Sequence, residues 1–278
     1  MLTDTIKKSE VFEVCLAPLG FIRSGKNKGK IVKDYNYDDS TILHIPCGKC
    51  LECQEAYSRQ FAVRVCQELK YHKENCFITL TYAVSPISLV KEDLQKFFKR
   101  VRKKYSFRYF ACGEYGSKGL RPHYHIIMFG FKPKDLVLFK KDTRGNDIYR
   151  SPELEKLWPF GFVSVGLQID SSTAKYCAKY MQKSNDILPG CVKPFILSSR
   201  RPGIGFRSED ISQSMLDGDR MYLDGKSFPI PRFYLKKVPP FMLDKLMFNR
   251  ALQPVQGIEE LKKKQLKYLH RFDKKAIK

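Results

Sequence analysis

The stretch Arg121 to Gly130, RPHYHIIMFG, carries two of the chain's five histidines, His123 and His125, at the head of an apolar run. A strand alternates its side chains, so both imidazoles share a face with Ile127 and Phe129, roughly 6–7 Å apart at the backbone. Their ring nitrogens can converge on one ion, a task neutral imidazole performs near neutral pH. The preceding run RYFACGEYG (108–116) puts Arg108, Phe110, Cys112 and Glu114 on one face by the same alternation. A short SKG turn brings Glu114 back beside the histidines. Two imidazoles and a carboxylate leave open positions on a divalent cation. That donor set suits Mg2+ or Mn2+ acting on phosphate, with zinc as the alternative. The plain reading of the same residues is a strand end capped by two histidines that bind nothing.

A second group lies in KYCAKYMQK (175–183), where Tyr176 and Tyr180 are four apart and so stack on one face of a helix. Ala174, Cys177, Ala178 and Met181 form a separate small, apolar stripe suited to packing. A phenol is a weak nucleophile at its ordinary pKa of about 10, and it needs activation. A cation that polarises a phosphate, with Lys179 and Lys183 beside the phenols, would supply it. The alternative is a pair of half-buried tyrosines with hydrogen-bonded hydroxyls.

Cys47, Cys50 and Cys53 form a third group, C-x-x-C-x-x-C. The first pair has the spacing of half a structural zinc site, which requires four ligands. Cys15, His44, Cys66 and Cys76 are the candidates for the fourth. An iron–sulfur cluster is the weaker option, and reduced thiols at a helix start are the plain one.

These groups need elements to position them. Leu51 to His72 has helical spacing, with Phe61, Val65 and Leu69 on one side. FITLTY (77–82) reads as a strand. KEDLQKFFKRVRKKY (91–105) is a basic amphipathic helix with Leu94, Phe97, Phe98 and Val101 inward. Residues 108–116 and 122–131 make a hairpin, 161–169 another strand, and 172–184 the tyrosine helix. Residues 132–160 read as loop-rich with a short helix near Glu153, and the C-terminal third as loop-rich with a basic helical tail. The expected fold is α+β, with a central antiparallel sheet of about five strands, similar to RRM-like and ferredoxin-like folds. Helices cover one sheet face and the other is free for a ligand.

Composition narrows the partners. The chain has 278 residues, 51 Lys and Arg against 29 acids, and a formal charge of +22, which favours a polyanion such as nucleic acid. No run approaches the roughly 18 apolar residues of a membrane span. The start, MLTDTIKKSE, is too polar for a secretory signal. Nine cysteines, an odd number, do not form an evident disulfide framework. The expectation is a reducing cytoplasm and no membrane partner. Arg121, and Arg200 and Arg201 in SRRPGIGF (199–206), are candidate phosphate contacts, as is Lys183. Phe107, Tyr109, Tyr124 and Phe206 are candidate base-stacking surfaces. No G-x-x-x-x-G-K-[ST] loop appears, so duplex unwinding falls to a partner.

Taken in order, FITLTY, RPHYHIIMFG and YCAKY resemble the motifs of the HUH endonucleases, in the branch of two-tyrosine rolling-circle initiators. PCGKCLEC (46–53), CGEYG (112–116), RPHYH and SRRPGIGF are similar to the replication initiators of gokushoviruses, small single-stranded DNA phages of the microvirus group. The resemblance runs from about Cys15 to Phe206. It departs from the family's His-hydrophobe-His only in the aromatic Tyr124. It implies that Glu114, His123 and His125 hold the metal, Tyr176 and Tyr180 are nucleophiles, and Lys179 contacts phosphate. It also favours Cys15 as the fourth cysteine ligand, because CLAP (15–18) lies in the matching region. The implied activity is cleavage of one DNA strand at an origin through a 5′-phosphotyrosine, later resealed to a circle. Host polymerase and helicase would be partners, in the cytoplasm of the bacterial host. The implied organisation is a Cys-rich region at 1–55, a nickase domain at 56–206 and a basic extension at 207–278. Rival readings are a plasmid initiator, relaxase or transposase of the same superfamily, or a non-catalytic RRM-like nucleic-acid binder.

Overall fold

The computed structural model describes residues 15, 18–36, 39, 41–116, 119–143, 145–169, 173–174, 177, 189–206, 211–223, 225–236, 238–243 and 246. They fall into two compact units, one within residues 1–56 and one within residues 57–251.

The first unit holds a three-stranded antiparallel sheet of β1 (Leu19–Ile22), β2 (Ile31–Val32) and β3 (Ile42–Ile45), in the order β2-β1-β3. Gly20 sits where a Cβ would meet Tyr35 and Ile42 at 2.8 Å, so a side chain there would collide. Helix α1 (Leu51–Lys70) follows.

The second unit is built on an antiparallel sheet of seven strands. They are β4 (Asn75–Tyr82), β5 (Arg108–Tyr115), β6 (Pro122–Phe129), β7 (Val137–Lys141), β8 (Asp147–Arg150), β9 (Gly161–Gly166) and β10 (Phe195–Ser198). Their spatial order is β10-β5-β6-β4-β9-β8-β7. β6 therefore lies near the middle, hydrogen-bonded to β5 on one side and β4 on the other. The strands beyond the expected five come from stretches read as loop. β7, VLFKK, is exposed along its whole length, so it lacks the alternation that marks a half-buried strand. β10 comes from the loop-rich C-terminal third and is held by register with β5, Phe195 opposite Gly113 and Ser198 opposite Phe110.

Alternation along β4 to β6 sorts side chains between two cores. On one face, Ile78, Leu80, Tyr124, Ile126 and Met128 pack under α2 (Lys91–Arg102) and α3 (Pro152–Leu157), with Trp158 fully buried among them. Leu94, Phe97, Phe98 and Val101 are the buried side of α2, as the spacing predicts. Each contributes about 1.5–3 kcal/mol of burial. Ser151 caps α3, its hydroxyl accepting from the Leu154 N–H at 3.2 Å.

The opposite face was expected to be free, and it is not. Phe110, Cys112, Ile127 and Phe129 pack beneath Ala62, Val65 and Cys66 of α1, with Ala174, Cys177, Ile204, Leu216, Met221, Ile230, Tyr234 and Leu246. The covering side chains are scattered singly through a Pro/Gly-rich region, so no periodic stripe announces them. Tyr124 belongs to the first core and is fully buried, which removes it as a base-stacking surface. Phe107 is also buried, and Tyr109 packs on Phe98 with ring centroids 4.1 Å apart.

Candidate active site

The site is built by register. On the α1-covered face, one row across the sheet runs Ser164, Thr79, His125 and Cys112 through β9, β4, β6 and β5. The next row runs Phe162, Thr81, His123 and Glu114. A turn from Gly116 to Arg121 closes the β5–β6 hairpin, with the Gly116 N–H donating to the Arg121 carbonyl at 3.0 Å. Gly119 and Leu120 take positive φ there, 72° and 46°. Glu114 thus stands directly across from His123, with His125 one row deeper.

The structure brings these three residues together. Glu114 Oε1 lies 2.7 Å from His123 Nε2 and 3.0 Å from His125 Nε2. One ligand atom from each falls within 4.8 Å of the others. Glu114 and His125 are buried and His123 is partly open. His123 Nδ1 lies 3.0 Å from the Arg121 carbonyl, which can only accept, so Nδ1 carries the proton. In neutral imidazole that leaves the Nε2 lone pair facing a carboxylate oxygen. Glu114 Oε2, also buried, has no hydrogen-bond partner. Burial opposes ionisation of Glu114, but His123 and His125 outweigh it and hold the carboxyl below its ordinary range. Burial holds His125 below the usual imidazole value, only partly offset by Glu114. Converging lone pairs, an orphaned carboxylate oxygen and a neutral buried imidazole fit a divalent cation.

Thr79 escaped the sequence reading. Its Oγ1 lies 3.0 Å from His125 Nδ1 and sets which ring nitrogen is turned toward Glu114. The ring of Phe77 stacks on His125 at 5.4 Å and 14°. The signal was present in FITLTY, since Phe77, Thr79 and Thr81 share one face of that strand. Tyr124, the aromatic residue between the histidines, points into the opposite core. Its hydroxyl donates to the Val90 carbonyl at 2.7 Å, accepts from the Val90 N–H at 3.0 Å and meets the Tyr82 hydroxyl at 2.8 Å. Val90 is the residue before α2, so Tyr124 ties the hairpin to that helix.

Tyr176, Tyr180, Lys179 and Lys183 lie outside the described residues. Their neighbours Ala174 and Cys177 are described, and both are fully buried on the face that carries the histidines. The Cys177 thiol is hydrogen-bonded to Cys112, the residue opposite His125.

The candidate phosphate contacts are dispersed. Arg121 is exposed, and its guanidinium donates to the Tyr82 carbonyl at 2.8 Å across the sheet. Arg200 and Arg201 are exposed beyond the far end of β10, which pairs with Phe110 rather than Glu114. Their loop is clamped from below. Glu68 accepts from Arg108 Nε at 2.5 Å and from the Gly205 N–H at 2.6 Å, Arg108 donates to the Pro202 carbonyl at 2.9 Å, and Arg64 donates to the Ile204 carbonyl at 3.1 Å. Gly205 has φ +68°, and a Cβ there would meet the Arg64 carbonyl at 2.4 Å. Glu68 too went unread in the sequence, an acid on a helix whose partners lie far along the chain.

In the first unit, the sulfurs of Cys15, Cys47, Cys50 and Cys53 lie within 4.8 Å of one another. Cys66 and Cys76, the other cysteines considered for this group, are buried in the two cores of the second unit. Burial opposes ionisation of Cys47, but the N–H groups of Lys49 and Cys50 and neighbouring thiols bring it down to about 7. Burial pushes Cys53 up.

Known proteins share this arrangement in sequence. Residues 75–185 match a family of replication-associated proteins, the one described by the name ORF2. That span contains Thr79, Glu114, His123, His125 and the tyrosine segment. Three phage proteins are similar over a longer stretch. Replication-associated protein ORF4 of Chlamydia phage 1 is 31% identical over 211 residues, 68% of this chain and 52% of that protein. Replication-associated protein VP4 of Bdellovibrio phage phiMH2K is 31% identical over 207 residues, 68% of this chain and 65% of that protein. Replication-associated protein ORF2 of Spiroplasma virus 4 is 34% identical over 166 residues, 54% of this chain and 50% of that protein. The matched part therefore spans between half and just under two thirds of these relatives. They agree with the resemblance to phage replication proteins drawn from the motifs. No solved structure matches the chain.

Proposed function

We propose that this chain is a rolling-circle replication initiator that nicks and rejoins single-stranded DNA at a phage origin. The observation that carries the reading is the convergence of Glu114, His123 and His125, with Cys177, the residue after Tyr176, buried against Cys112 on the same sheet face. In this reading the sheet, with α1 on one face and α2 on the other, is the RRM-like core of an HUH endonuclease. Residues 56–206 carry the chemistry, residues 1–55 a structural metal region, and 207–278 a basic extension that also lends Leu216, Met221, Ile230 and Tyr234 to the core.

Glu114, His123 and His125 would hold Mg2+ or Mn2+, which when bound polarises the scissile phosphate and stabilises the charge developing on it. Thr79 orients His125, and the Arg121 carbonyl orients His123. The phenol oxygen of Tyr176 or Tyr180 attacks phosphorus. A P–O bond to the tyrosine forms as the bond to the 3′ oxygen breaks. The phenolic proton is lost and the 3′ oxygen gains one, leaving a 5′-phosphotyrosine and a free 3′-hydroxyl. Since one phosphodiester replaces another, no nucleotide cofactor is consumed. The second tyrosine repeats the step, and the released 3′-hydroxyl attacks the first linkage to reseal the strand. Lys179, Lys183, Arg121, Arg200 and Arg201 contribute charge toward the DNA backbone. A host polymerase would extend the free 3′ end and a host helicase would open the duplex, within the bacterial cell.

The test is incubation of the full chain with labelled single-stranded origin DNA and Mn2+. A denaturant-resistant protein–DNA adduct that disappears with chelator supports the reading. Retarded migration without an adduct would reduce the protein to a nucleic-acid binder. Activity on plasmid or transposon ends in place of phage origin DNA would move it elsewhere in the superfamily.

A further inference from the structure

The first unit has little with which to hold itself together. Among its described residues the buried side chains are those of Cys15 and Ala56. β2 is two residues long, and no described aliphatic side chain of the three-stranded sheet is fully buried. A fold of this size without a core needs another constraint.

The four cysteines occupy the points where such a constraint would act. Cys15 precedes β1, Cys47 follows β3, Cys50 precedes α1 and Cys53 lies in its first turn. Their sulfurs form one cluster, with Cys15 Sγ and Cys50 Sγ 3.8 Å apart. A tetrahedral zinc ion with Zn–S bonds of about 2.3 Å separates its sulfurs by about 3.8 Å. In a cubane iron–sulfur cluster each thiolate bonds a different iron, which drives the sulfurs well apart; a set gathered within 4.8 Å is too tight for that. A disulfide needs sulfurs about 2.05 Å apart, and all nine cysteines here are free. The backbone is shaped for thiolates as well. The N–H groups of Lys49 and Cys50 point at Cys47 Sγ, at 3.4 and 3.3 Å, and the Cys47 N–H points at Cys15 Sγ, at 3.2 Å. Gly48, at φ +74°, permits the turn that aims them.

We infer that Cys15, Cys47, Cys50 and Cys53 bind one tetrahedral zinc ion that ties the start of β1, the end of β3 and the start of α1 into a single unit. This zinc site is separate from the Glu114 site and stands whether or not the chain cuts DNA.

The experiment is metal analysis and cobalt exchange on the purified full chain. The expected result is bound zinc and, after exchange, the thiolate-to-cobalt charge transfer and strong visible bands of a tetrahedral tetrathiolate centre. Both should persist in the Glu114→Gln, His123→Ala double variant and be lost in Cys50→Ser. Thiol titration of the native wild-type chain guards against a Cys50→Ser variant that fails to fold: chelation should expose four further reactive thiols, those of Cys15, Cys47, Cys50 and Cys53. Iron with acid-labile sulfide, a Cys15–Cys50 disulfide, or cobalt bound without a thiolate signal would each overturn the inference.

Discussion

Glu114 stands opposite His123 in the β5–β6 register, and its Oε1 lies 2.7 Å from His123 Nε2. The two residues are nine apart in sequence, and a tight hairpin makes them neighbours on one sheet face. His125 completes the set from one row deeper.

Replacing Glu114 by Gln keeps its shape and removes its charge. The variant should fold, bind Mn2+ more weakly and form the DNA adduct about 10²–10³-fold more slowly. Titrating adduct formation against Mn2+ checks this. An unchanged Mn2+ dependence would remove Glu114 from the ligand set.

Thr79→Val removes the hydroxyl that meets His125 Nδ1 at 3.0 Å. Losses of about 10–100-fold in metal affinity are typical when such a partner goes. Thr79→Ser should restore most of the affinity. Calorimetric titration of Mn2+ into the three proteins would reveal a merely structural role if Val and Ser bind alike.

Tyr124→Phe leaves the Val90 N–H and carbonyl without their partner at the start of α2. Leaving buried polar groups unpaired costs about 1–3 kcal/mol, which denaturant unfolding would register. The histidines point to the other face, so metal affinity should change little.

Glu68 ties α1 to Arg108 and to the loop carrying Arg200 and Arg201. Burial opposes its ionisation, but Arg108, the Gly205 N–H and His72 hold its carboxyl below the ordinary value. Such a group stabilises the fold fully above its unfolded pKa of about 4.3, and the contribution is lost as pH falls through the lower folded value. Glu68→Gln should therefore cost about 2 kcal/mol near neutral pH, with the gap to wild type closing in acid. Denaturation series at neutral and acid pH test this. A gap that widens in acid would contradict the assignment.

The hairpin was legible because period-two alternation leaves no choice of face once RYFACGEYG and RPHYHIIMFG are read as strands. α2 was legible because Leu94, Phe97, Phe98 and Val101 recur at helical spacing. The second core was not, because Leu216, Met221, Ile230 and Tyr234 reach Phe110 and Ile127 only through tertiary contact. β7 was hidden for the opposite reason, since an exposed edge hairpin needs no hydrophobic pattern. Thr79 and Glu68 show the same limit for polar groups, as their roles come from partners 46 and 40 or more residues away. Tyr124 looked like a departure from an apolar position and proved to be a buried residue whose hydroxyl is fully engaged.

The most direct measurement is identification of the residue joined to DNA. The adduct formed with single-stranded origin DNA and Mn2+ would be digested with protease and nuclease and the modified peptide sequenced by mass spectrometry. The account predicts a 5′-phosphate ester on Tyr176 or Tyr180, and none in the Tyr176→Phe, Tyr180→Phe double variant. Linkage to any other residue, or an adduct that survives the double substitution, would contradict it.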